Sequence, residues 1–150
     1  MQLDFIEHRR PAGPSHAWRP FGDGRNADRS FDADWWTGRN FLEGSRLFSV
    51  ESNGKEVARI EIDRTPHLAS NQGASHLGPV REIQYLEVSQ DRRGRGLGTE
   101  IVDWLETEFR DARLIASTNS AVGFWTSLDG WERVDHADGL RGDWVLFVSH

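Results

Sequence analysis

The sequence contains no cysteine, a single tyrosine and no long apolar run. Without cysteine the chain has no disulfide, no thiolate nucleophile and no thiolate metal site. No apolar stretch approaches the roughly 20 residues that span a bilayer, and the N-terminal MQLDFIEHRR lacks the pattern of a signal peptide. We therefore expect a soluble cytoplasmic protein with no membrane partner.

Positive charge is also in deficit, since 18 Lys and Arg residues stand against 24 Asp and Glu, a net charge of −6. This balance disfavours nucleic acid as a general partner and mildly favours a cationic substrate. The six histidines are scattered without metal-ligand spacing, so no metal site is expected. What the chain does have is 150 residues, 37% of them hydrophobic, with seven Trp and eight Phe, which is enough for one packed domain.

One stretch, residues 81–109, combines a strand, a turn rich in arginine and glycine, and a helix. In its first part Ile83, Tyr85 and Glu87 alternate with residues that face the other side of a strand. Apolar side chains then recur at helical spacing and mark one buried face: Leu97, Ile101, Trp104, Leu105 and Phe109.

Glycines remove the side chains where the chain enters this helix, at Gly94, Gly96 and Gly98. The unpaired N–H groups of a first helical turn, with the positive end of the helix dipole behind them, form a seat for phosphate. Arginines nearby have the sign that an anionic ligand needs: Arg92, Arg93 and Arg95. The alternative is a solvated, glycine-rich turn that binds nothing.

The glycine spacing excludes two common phosphate sites. A dinucleotide fold requires G-x-G-x-x-G after its first strand, whereas the glycines here run G-x-G-x-G after a later strand. A P-loop requires Lys followed by Ser or Thr, and the chain offers Gly98-Thr99 with no Lys.

The remaining segments predict a mixed α/β domain. Asn53-Gly54 supplies the positive φ angles of a tight hairpin, Asp32 is placed to cap a helix that continues to Leu42, and Ser120 is placed to cap a later helix through Leu128. The expected strands are Gln2–Glu7, Arg46–Glu51, Glu56–Ile62, Arg113–Ser117, Trp131–Asp135 and Trp144–Val148. Polar connections are expected over Thr65–Pro79 and Gly139–Asp143.

Two motifs resemble those of the GCN5-related N-acetyltransferases. The run V-x-x-x-x-R-G-x-G-x-G, from Val88 to Gly98, resembles that family's acetyl-CoA-binding segment. The segment LIASTNSAVGFWTSLDGWERV resembles a second motif, A-x-x-F-Y-x-x-x-G-F, with one extra residue at Asp129; the matching residues are Ala121, Phe124, Trp125, Gly130 and Trp131. Together with the hairpin, the match covers residues 44–135 in the family's order.

The resemblance implies a mixed α+β fold with one mostly antiparallel sheet of about seven strands flanked by about four helices. It implies one domain over residues 1–150, with an acceptor side in residues 1–45 and a cofactor core in residues 80–130. Acetyl transfer would run directly from acetyl-CoA to a small-molecule or peptide amine, with no metal, and a homodimer is allowed. The implied cofactor-binding residues are Leu86, Val88, Arg93, Gly94, Arg95, Gly96, Leu97, Gly98, Thr99, Asn119 and Phe124.

Catalysis by such a protein requires a base, because the attacking amine must be neutral. Glu82 is the first candidate, six residues before Val88, where the histone-acetyltransferase branch places its glutamate; Glu87 is the second. Strand alternation places these two on opposite faces. The family's general acid for the leaving thiolate is often a Tyr, and Trp125 occupies that position.

An indole N–H donates a hydrogen bond but is no acid near neutral pH. Three alternatives stay open: a water or nearby hydroxyl protonates the thiolate, the thiolate leaves unaided, or the protein binds coenzyme A and catalyses poorly. The hydroxyl candidates are Ser117, Thr118 and Ser120.

The acceptor side interleaves aromatic residues with carboxylates, which suits a cationic amine through cation–π and ion-pair contacts. The alternative is that the aromatic residues form core and the acids are solvated. The residues concerned are Trp18, Trp35, Trp36, Phe41, Asp28, Asp32, Asp34 and Glu43.

Overall fold

The chain folds into a mixed sheet of seven strands, accompanied by three α-helices among the residues that the structure describes. The computed structural model describes residues 2–12, 18–25, 28–38, 41, 44–63, 78–134 and 144–150. The strands are β1 Asp4–His8, β2 Arg46–Ser52, β3 Lys55–Asp63, β4 Val80–Val88, β5 Arg113–Thr118, β6 Trp131–Val134 and β7 Val145–Ser149. The helices are α1 Ala33–Trp36, α2 Leu97–Glu108 and α3 Val122–Thr126, with a 3-10 turn over Gln90–Arg92.

The strand order across the sheet is β1-β2-β3-β4-β5-β7-β6. Antiparallel ladders join β1 to β2, β5 to β7 and β7 to β6. β4 and β5 run parallel and pair over three positions, from Val80–Arg113 to Glu82–Ile115, and both strands continue beyond the last pair. The predicted mixed, mostly antiparallel seven-stranded sheet is confirmed.

The turn between β2 and β3 is the tight hairpin that Asn53-Gly54 predicts. Asn53 has a φ of 52° and Gly54 a φ of 75°, both in the left-handed region. Two successive positive φ angles match the twist of the flanking strands, which is why this dipeptide favours a hairpin.

The long helix α2 also follows its sequence pattern, except that Trp104 is only partly buried. Leu97, Ile101, Val102 and Leu105 are buried along one face, and Phe109 is buried directly after the helix ends. Spacing of three and four residues places these side chains on one stripe, and the helix packs on the rest of the fold through that apolar stripe.

Both short helices differ from their predictions. α1 ends at Trp36 instead of continuing to Leu42, because the backbone of Thr37 is extended; the Thr37 N–H and hydroxyl both donate back to the Ala33 carbonyl oxygen. The predicted Asp32 cap is confirmed, since its carboxylate accepts from the Asp34 amide.

α3 begins after Ala121 without a side-chain cap, so the predicted Ser120 cap is wrong; Thr118 Oγ1 instead accepts from the Ala121 amide (3.0 Å). The helix ends at Thr126, two residues before the predicted end at Leu128. Nearly all of the predicted connection Thr65–Pro79, and all of the predicted loop Gly139–Asp143, lie outside the described residues.

The chain divides into two compact units. The first consists of Met1–Glu61 and Tyr85–Gly98. Its core is rich in aromatic side chains, which pack mainly edge to face. The buried members of this cluster are Trp18, Phe31, Trp36, Phe41 and Leu47, with Phe21, Trp35 and Tyr85 packed against them.

A polar network also runs through the first unit. His8 Nε2 hydrogen-bonds Ser49 Oγ (2.7 Å), and Ser49 donates to Glu56. Glu56 also forms an ion pair with Arg59 (2.8 Å), whose guanidinium lies over the rings of Phe31 and Phe21. The buried arginine is therefore held by one carboxylate and two aromatic faces.

The second unit consists of Ile62–Gln84 and Thr99–His150. Its buried cluster contains Ile115, Leu146 and Val148, with Val80 and Val134 packed against it. Trp131 donates its indole N–H to Glu106 of α2 (2.7 Å), which ties β6 to that helix.

Candidate functional site

The segment after β4 is fixed by hydrogen bonds before it reaches the glycines. The Ser89 amide donates to the Val57 carbonyl oxygen (2.9 Å), and the Ser89 hydroxyl donates to Asp91 (2.8 Å). Lys55 donates to the other carboxylate oxygen of Asp91 (3.0 Å). The hydrogen bond from Lys55, followed by that from Ser89, lowers the pKa of Asp91 below its ordinary value. Asp91 is therefore charged and already paired.

The glycines that follow form an open turn. Gly94 and Gly96 have φ angles of 75° and 81°, a conformation that favours glycine. A Cβ at either position would meet no atom within 4 Å, so both face open space. α2 begins at Leu97, whose buried side chain anchors the first turn. Because first-turn N–H groups have no acceptor within their helix, this geometry fits a phosphate group.

The arginines of the turn differ in their surroundings. Arg93 Nε donates to the Val88 carbonyl oxygen (3.0 Å), and its Nη2 donates to Glu87 (3.3 Å). Arg95 lies exposed between the two left-handed glycines, and Arg92 ends the 3-10 turn. One arginine of the predicted cluster is thus held against the end of β4, while Arg95 reaches solvent.

Glu87, the second candidate base, is buried among donors. Its Oε1 accepts from the Trp36 indole N–H (2.8 Å) and from the Asp32 amide (2.9 Å). Its Oε2 accepts from Arg93. Both carboxylate oxygens are therefore engaged, two of the donors coming from the start and end of α1.

Tyr85, the single tyrosine, lies on the same face of β4 as Glu87. Its ring packs against Trp35, with centroids 4.6 Å apart, and meets the edge of Trp36 at 5.3 Å. Burial, then the negative charges of Glu87 and Asp32, raise the pKa of the Tyr85 phenol. Tyr85 therefore stays protonated at neutral pH and can donate a hydrogen bond.

The aromatic residues that the sequence offers for an acceptor groove lie mainly in the core. Trp18, Trp36 and Phe41 are buried, and Trp36 is 0% exposed. Trp35 is partly buried and donates its indole N–H to the buried Glu61 carboxylate (3.1 Å). Of the predicted carboxylates, Asp28, Asp32 and Asp34 are exposed, and Glu43 lies outside the described residues. Trp35 is therefore the member of the aromatic set best placed to meet a ligand.

Glu82, the first candidate base, belongs to the second unit. It is 4% exposed and accepts from the Gln84 side-chain amide (2.9 Å), two residues along the same face of β4. Its Cα partner across the parallel ladder is Ile115, at the last pair between β4 and β5. The contacts of Glu82 with Gln84 and of Glu87 with α1 agree with the predicted alternation of faces.

The second motif places an aromatic residue in the core. Trp125 is 6% exposed and packs against Trp131, with centroids 4.8 Å apart, and against Phe147 at 6.5 Å. Phe124 is partly buried beside it, and Asn119 is exposed in the turn between β5 and α3. The tryptophan at the family's tyrosine position therefore has a packing role in this fold.

Sequence reasoning missed the contacts that converge on Glu87. Arg93 lies six residues away across a turn, a separation at which an ion pair can be anticipated. Trp36 and Asp32 lie more than 50 residues away in the chain, and no local pattern reveals a contact of that range.

A metal cluster and a membrane-spanning helix are both absent from the described residues. Among them, no group of three or more His, Asp and Glu side chains is arranged to hold a metal ion. In the same part of the chain, no helix has the length and apolar character needed to cross a bilayer.

Solved structures share this fold. A GNAT family acetyltransferase from Elizabethkingia anophelis with acetyl-CoA bound has a TM-score of 0.58 at 8% identity, with 99% of this chain and 97% of that chain covered. An acetyltransferase from Thermus thermophilus has a TM-score of 0.51 at 17% identity, with 69% of this chain and 62% of that chain covered. A Pyrococcus horikoshii protein also has a TM-score of 0.51 at 17% identity, with coverages of 69% and 64%. The chain thus spans less than two thirds of the latter two proteins. No curated protein sequence matches the chain.

A family model settles the relationship. The model of the acetyltransferase (GNAT) family matches residues 12–131, which include the hairpin, the glycine turn and the second motif. The chain therefore belongs to the acetyltransferase (GNAT) family.

Proposed function

We propose that this protein is an acetyl-CoA-dependent N-acetyltransferase that acts on a small-molecule or peptide amine. The observation that carries the proposal is the turn from Gly94 to Gly98, in which two left-handed glycines open onto the start of α2. The similarly folded Elizabethkingia anophelis protein has acetyl-CoA bound, which supports the same co-substrate here.

The backbone amides of this turn would hold the pyrophosphate of coenzyme A, with Arg93 and Arg95 supplying positive charge. The edge of β4 at Leu86 and Val88 would pair with the pantetheine arm, as the family resemblance implies. The other proposed contacts come from Leu97, Thr99, Asn119 and Phe124. When bound, acetyl-CoA supplies the acetyl thioester that the amine attacks.

Glu82 is the proposed base, acting directly or through water. It would accept the proton that the amine loses as nitrogen bonds to the carbonyl carbon and the carbon–sulfur bond breaks. A backbone N–H of β4 would donate to the carbonyl oxygen as negative charge develops there. Glu87 is less suited to this task, because both of its oxygens already accept hydrogen bonds.

The acceptor that we favour is cationic. Trp35 and Tyr85 offer partly buried aromatic faces, and Asp32 and Asp34 lie exposed near them on the same segment. Aromatic faces and carboxylates attract ammonium groups, and the net charge of −6 acts in the same direction. A cytoplasmic location and a homodimer belong to the same proposal.

A second candidate function is an acyl-CoA-binding domain with weak catalysis. Trp125 favours it, because the indole is packed in the core where relatives often carry an acidic tyrosine. Such a domain would bind the same cofactor and act as a sensor or an interaction module.

Calorimetry with acetyl-CoA tests both candidates. We expect binding with a Kd in the micromolar range or tighter; no binding would rule out both. Release of free thiol across a panel of cationic and neutral amines then separates the enzyme from the sensor, since the sensor would release little with any amine.

The variant Glu82→Gln tests the base. We expect turnover to fall by about 100-fold, in the range of general-base catalysis, while the affinity for acetyl-CoA stays nearly unchanged. Glu132→Gln, at an exposed carboxylate of β6, is the control and should retain full turnover. An unaltered rate in Glu82→Gln would remove Glu82 from the mechanism.

A further inference from the structure

Glu87 joins two segments of the first unit that the chain separates widely. Its Oε1 accepts from the Trp36 indole N–H and the Asp32 amide, at 2.8 and 2.9 Å, and both donors belong to α1 or its cap. Its Oε2 accepts from Arg93, at 3.3 Å, in the turn that precedes α2. One carboxylate thus contacts α1 and the glycine turn.

Arg93 is oriented by two contacts with the end of β4. Its Nε donates to the Val88 carbonyl oxygen (3.0 Å), and one terminal nitrogen donates to Glu87. A guanidinium has five N–H donors in a rigid plane, so these two contacts fix the direction of the remaining ones. The Arg93 side chain is 53% exposed, which leaves the unused donors accessible to an anion.

A carboxylate beside an anion site requires an explanation. Negative charge close to a phosphate seat weakens phosphate binding unless it is neutralised or does something that compensates. Asp91, the other carboxylate of this turn, is neutralised by Lys55 and Ser89. Glu87 is neutralised by Arg93 and two N–H donors, and in return it fixes the plane of the arginine.

We propose that Glu87 is a positioning residue that orients Arg93 for a phosphate group of coenzyme A and couples that contact to α1. The inference rests on the proposed function for its ligand. Occupation of the turn by phosphate orders Arg93 and keeps Glu87 in place, and Glu87 in turn holds the α1 segment. Because coupling between two sites is reciprocal, loosening α1 also weakens coenzyme A binding.

Glutamine at position 87 separates the two roles proposed for Glu87, which are to orient Arg93 and to hold α1. Its carbonyl oxygen still accepts from Trp36 and Asp32, but its amide N–H groups meet the donors of Arg93 instead of an acceptor. Glu87→Gln should therefore keep α1 and lose the orientation of Arg93. Glu87→Ala should lose both.

The first experiment is a double-mutant cycle on coenzyme A affinity, measured by calorimetry with Glu87→Gln, Arg93→Ala and the double variant. We expect Glu87→Gln to weaken binding about fivefold and Arg93→Ala about tenfold, the scale of charge-assisted hydrogen bonds. The double variant should be no weaker than Arg93→Ala alone, because the two residues act as one unit. Asp91→Asn is the matched control: it also removes one negative charge from the turn but should not weaken binding.

The second experiment follows hydrogen exchange at the Asp32 amide and the Trp36 indole N–H, the two donors to Glu87 Oε1, and does not depend on turnover. Glu87→Ala should exchange faster than wild type at the Asp32 amide, whereas Glu87→Gln should exchange at the wild-type rate. Coenzyme A should slow exchange of these two N–H groups in wild type, and the effect should be lost in Arg93→Ala.

Each failure has its own meaning. Absence of coenzyme A binding by the wild-type protein overturns both the proposed function and this inference. Wild-type binding that Glu87→Gln leaves unchanged, or effects of Glu87→Gln and Arg93→Ala that multiply in the double variant, overturn the inference alone. If coenzyme A protects α1 from exchange equally in wild type and in Arg93→Ala, the proposed coupling is overturned.

Discussion

The family often uses a tyrosine of the second motif as its general acid. In this chain Trp125 occupies that position, and the single tyrosine, Tyr85, lies elsewhere. Trp125 occupies the expected place in the second motif, but its indole cannot release a proton near neutral pH, and it packs against Phe147. Tyr85 keeps its phenolic proton, because burial raises its pKa. It packs instead on α1, in the other unit. In the proposed reaction, protonation of the leaving thiolate therefore requires a group other than the Trp125 indole.

His8 leads to a prediction about pH. Burial is the main cause that lowers the pKa of His8 below its ordinary value of 6.5, with Arg59 acting in the same direction and Glu56 and Glu51 opposing. Because the unfolded chain then binds the proton more tightly, stability falls as pH decreases through 6.5 toward the lower folded pKa.

We expect the urea midpoint of the wild-type protein to fall between about pH 7.5 and about pH 5 more than that of His8→Gln, which has no proton to gain. Glutamine preserves a hydrogen bond to Ser49, so the two proteins should be similarly stable at the higher pH. An identical fall in both would contradict a role for His8.

At the scale of elements, two glycines predict opposite effects of alanine. Gly54 has a φ of 75° in the β2–β3 hairpin, whereas Gly123 lies inside α3, and a Cβ at either position would meet nothing within 4 Å. Contacts with neighbouring residues therefore play no part, and the conformation of the residue's own backbone decides. Gly54→Ala should destabilise the protein by about 1 kcal/mol and Gly123→Ala should stabilise it by up to about 1 kcal/mol, measured by denaturant unfolding. If alanine changed the free energy of unfolding in the same direction at both positions, backbone conformation would not be the deciding factor.

Elements set by local chemistry could be predicted from the sequence, and those set by distant contacts could not. The hairpin depends on Asn53-Gly54 and α2 on its apolar stripe, both of which are local. α1 has four residues, too few to be stable alone, and hydrogen bonds from Trp36 to Glu87 and from Trp35 to Glu61 hold it to distant strands. The helix ends early at Trp36, where an extended Thr37 donates back to Ala33.

The candidate site shows the same division. The glycine turn could be located from spacing alone, and the structure gives it the expected open geometry at Gly94 and Gly96. The surroundings of Glu87 could be predicted only in part, since two of its three donors, the Asp32 amide and the Trp36 indole, lie more than 50 residues away in the chain. For the same reason the sequence could not decide whether Trp18, Trp36 and Phe41 line a groove or form core; they form core.

At the scale of the whole molecule, cofactor binding should raise the free energy of unfolding and the Tm. A ligand that binds only the folded chain, present at a concentration of about 100 times its Kd, adds about 2.7 kcal/mol to the free energy of unfolding. For a protein of this size that raises Tm by about 5–10 °C. We expect acetyl-CoA to produce such a shift in the wild-type protein and none in Gly96→Glu, which places a side chain and a negative charge in the turn.

Gly44→Glu is the matched control for that prediction. Gly44 also has a left-handed φ, 95°, and open space around it. Both variants carry the same strain and the same added charge, so both should lower the Tm of the free protein. Gly44→Glu should keep the full shift with acetyl-CoA. A shift retained in Gly96→Glu would show that the cofactor binds elsewhere.

The arrangement around Glu87 also has an evolutionary consequence. Three donors from two separate segments share one carboxylate, so an apolar side chain at position 87 removes the acceptor of Trp36 and of the Arg93 terminal nitrogen at once. A lineage can place an apolar residue at position 87 with little loss only if positions 36 and 93 change in the same interval. Across relatives these three positions should vary together or not at all, although the first and last lie 57 residues apart (93 − 36).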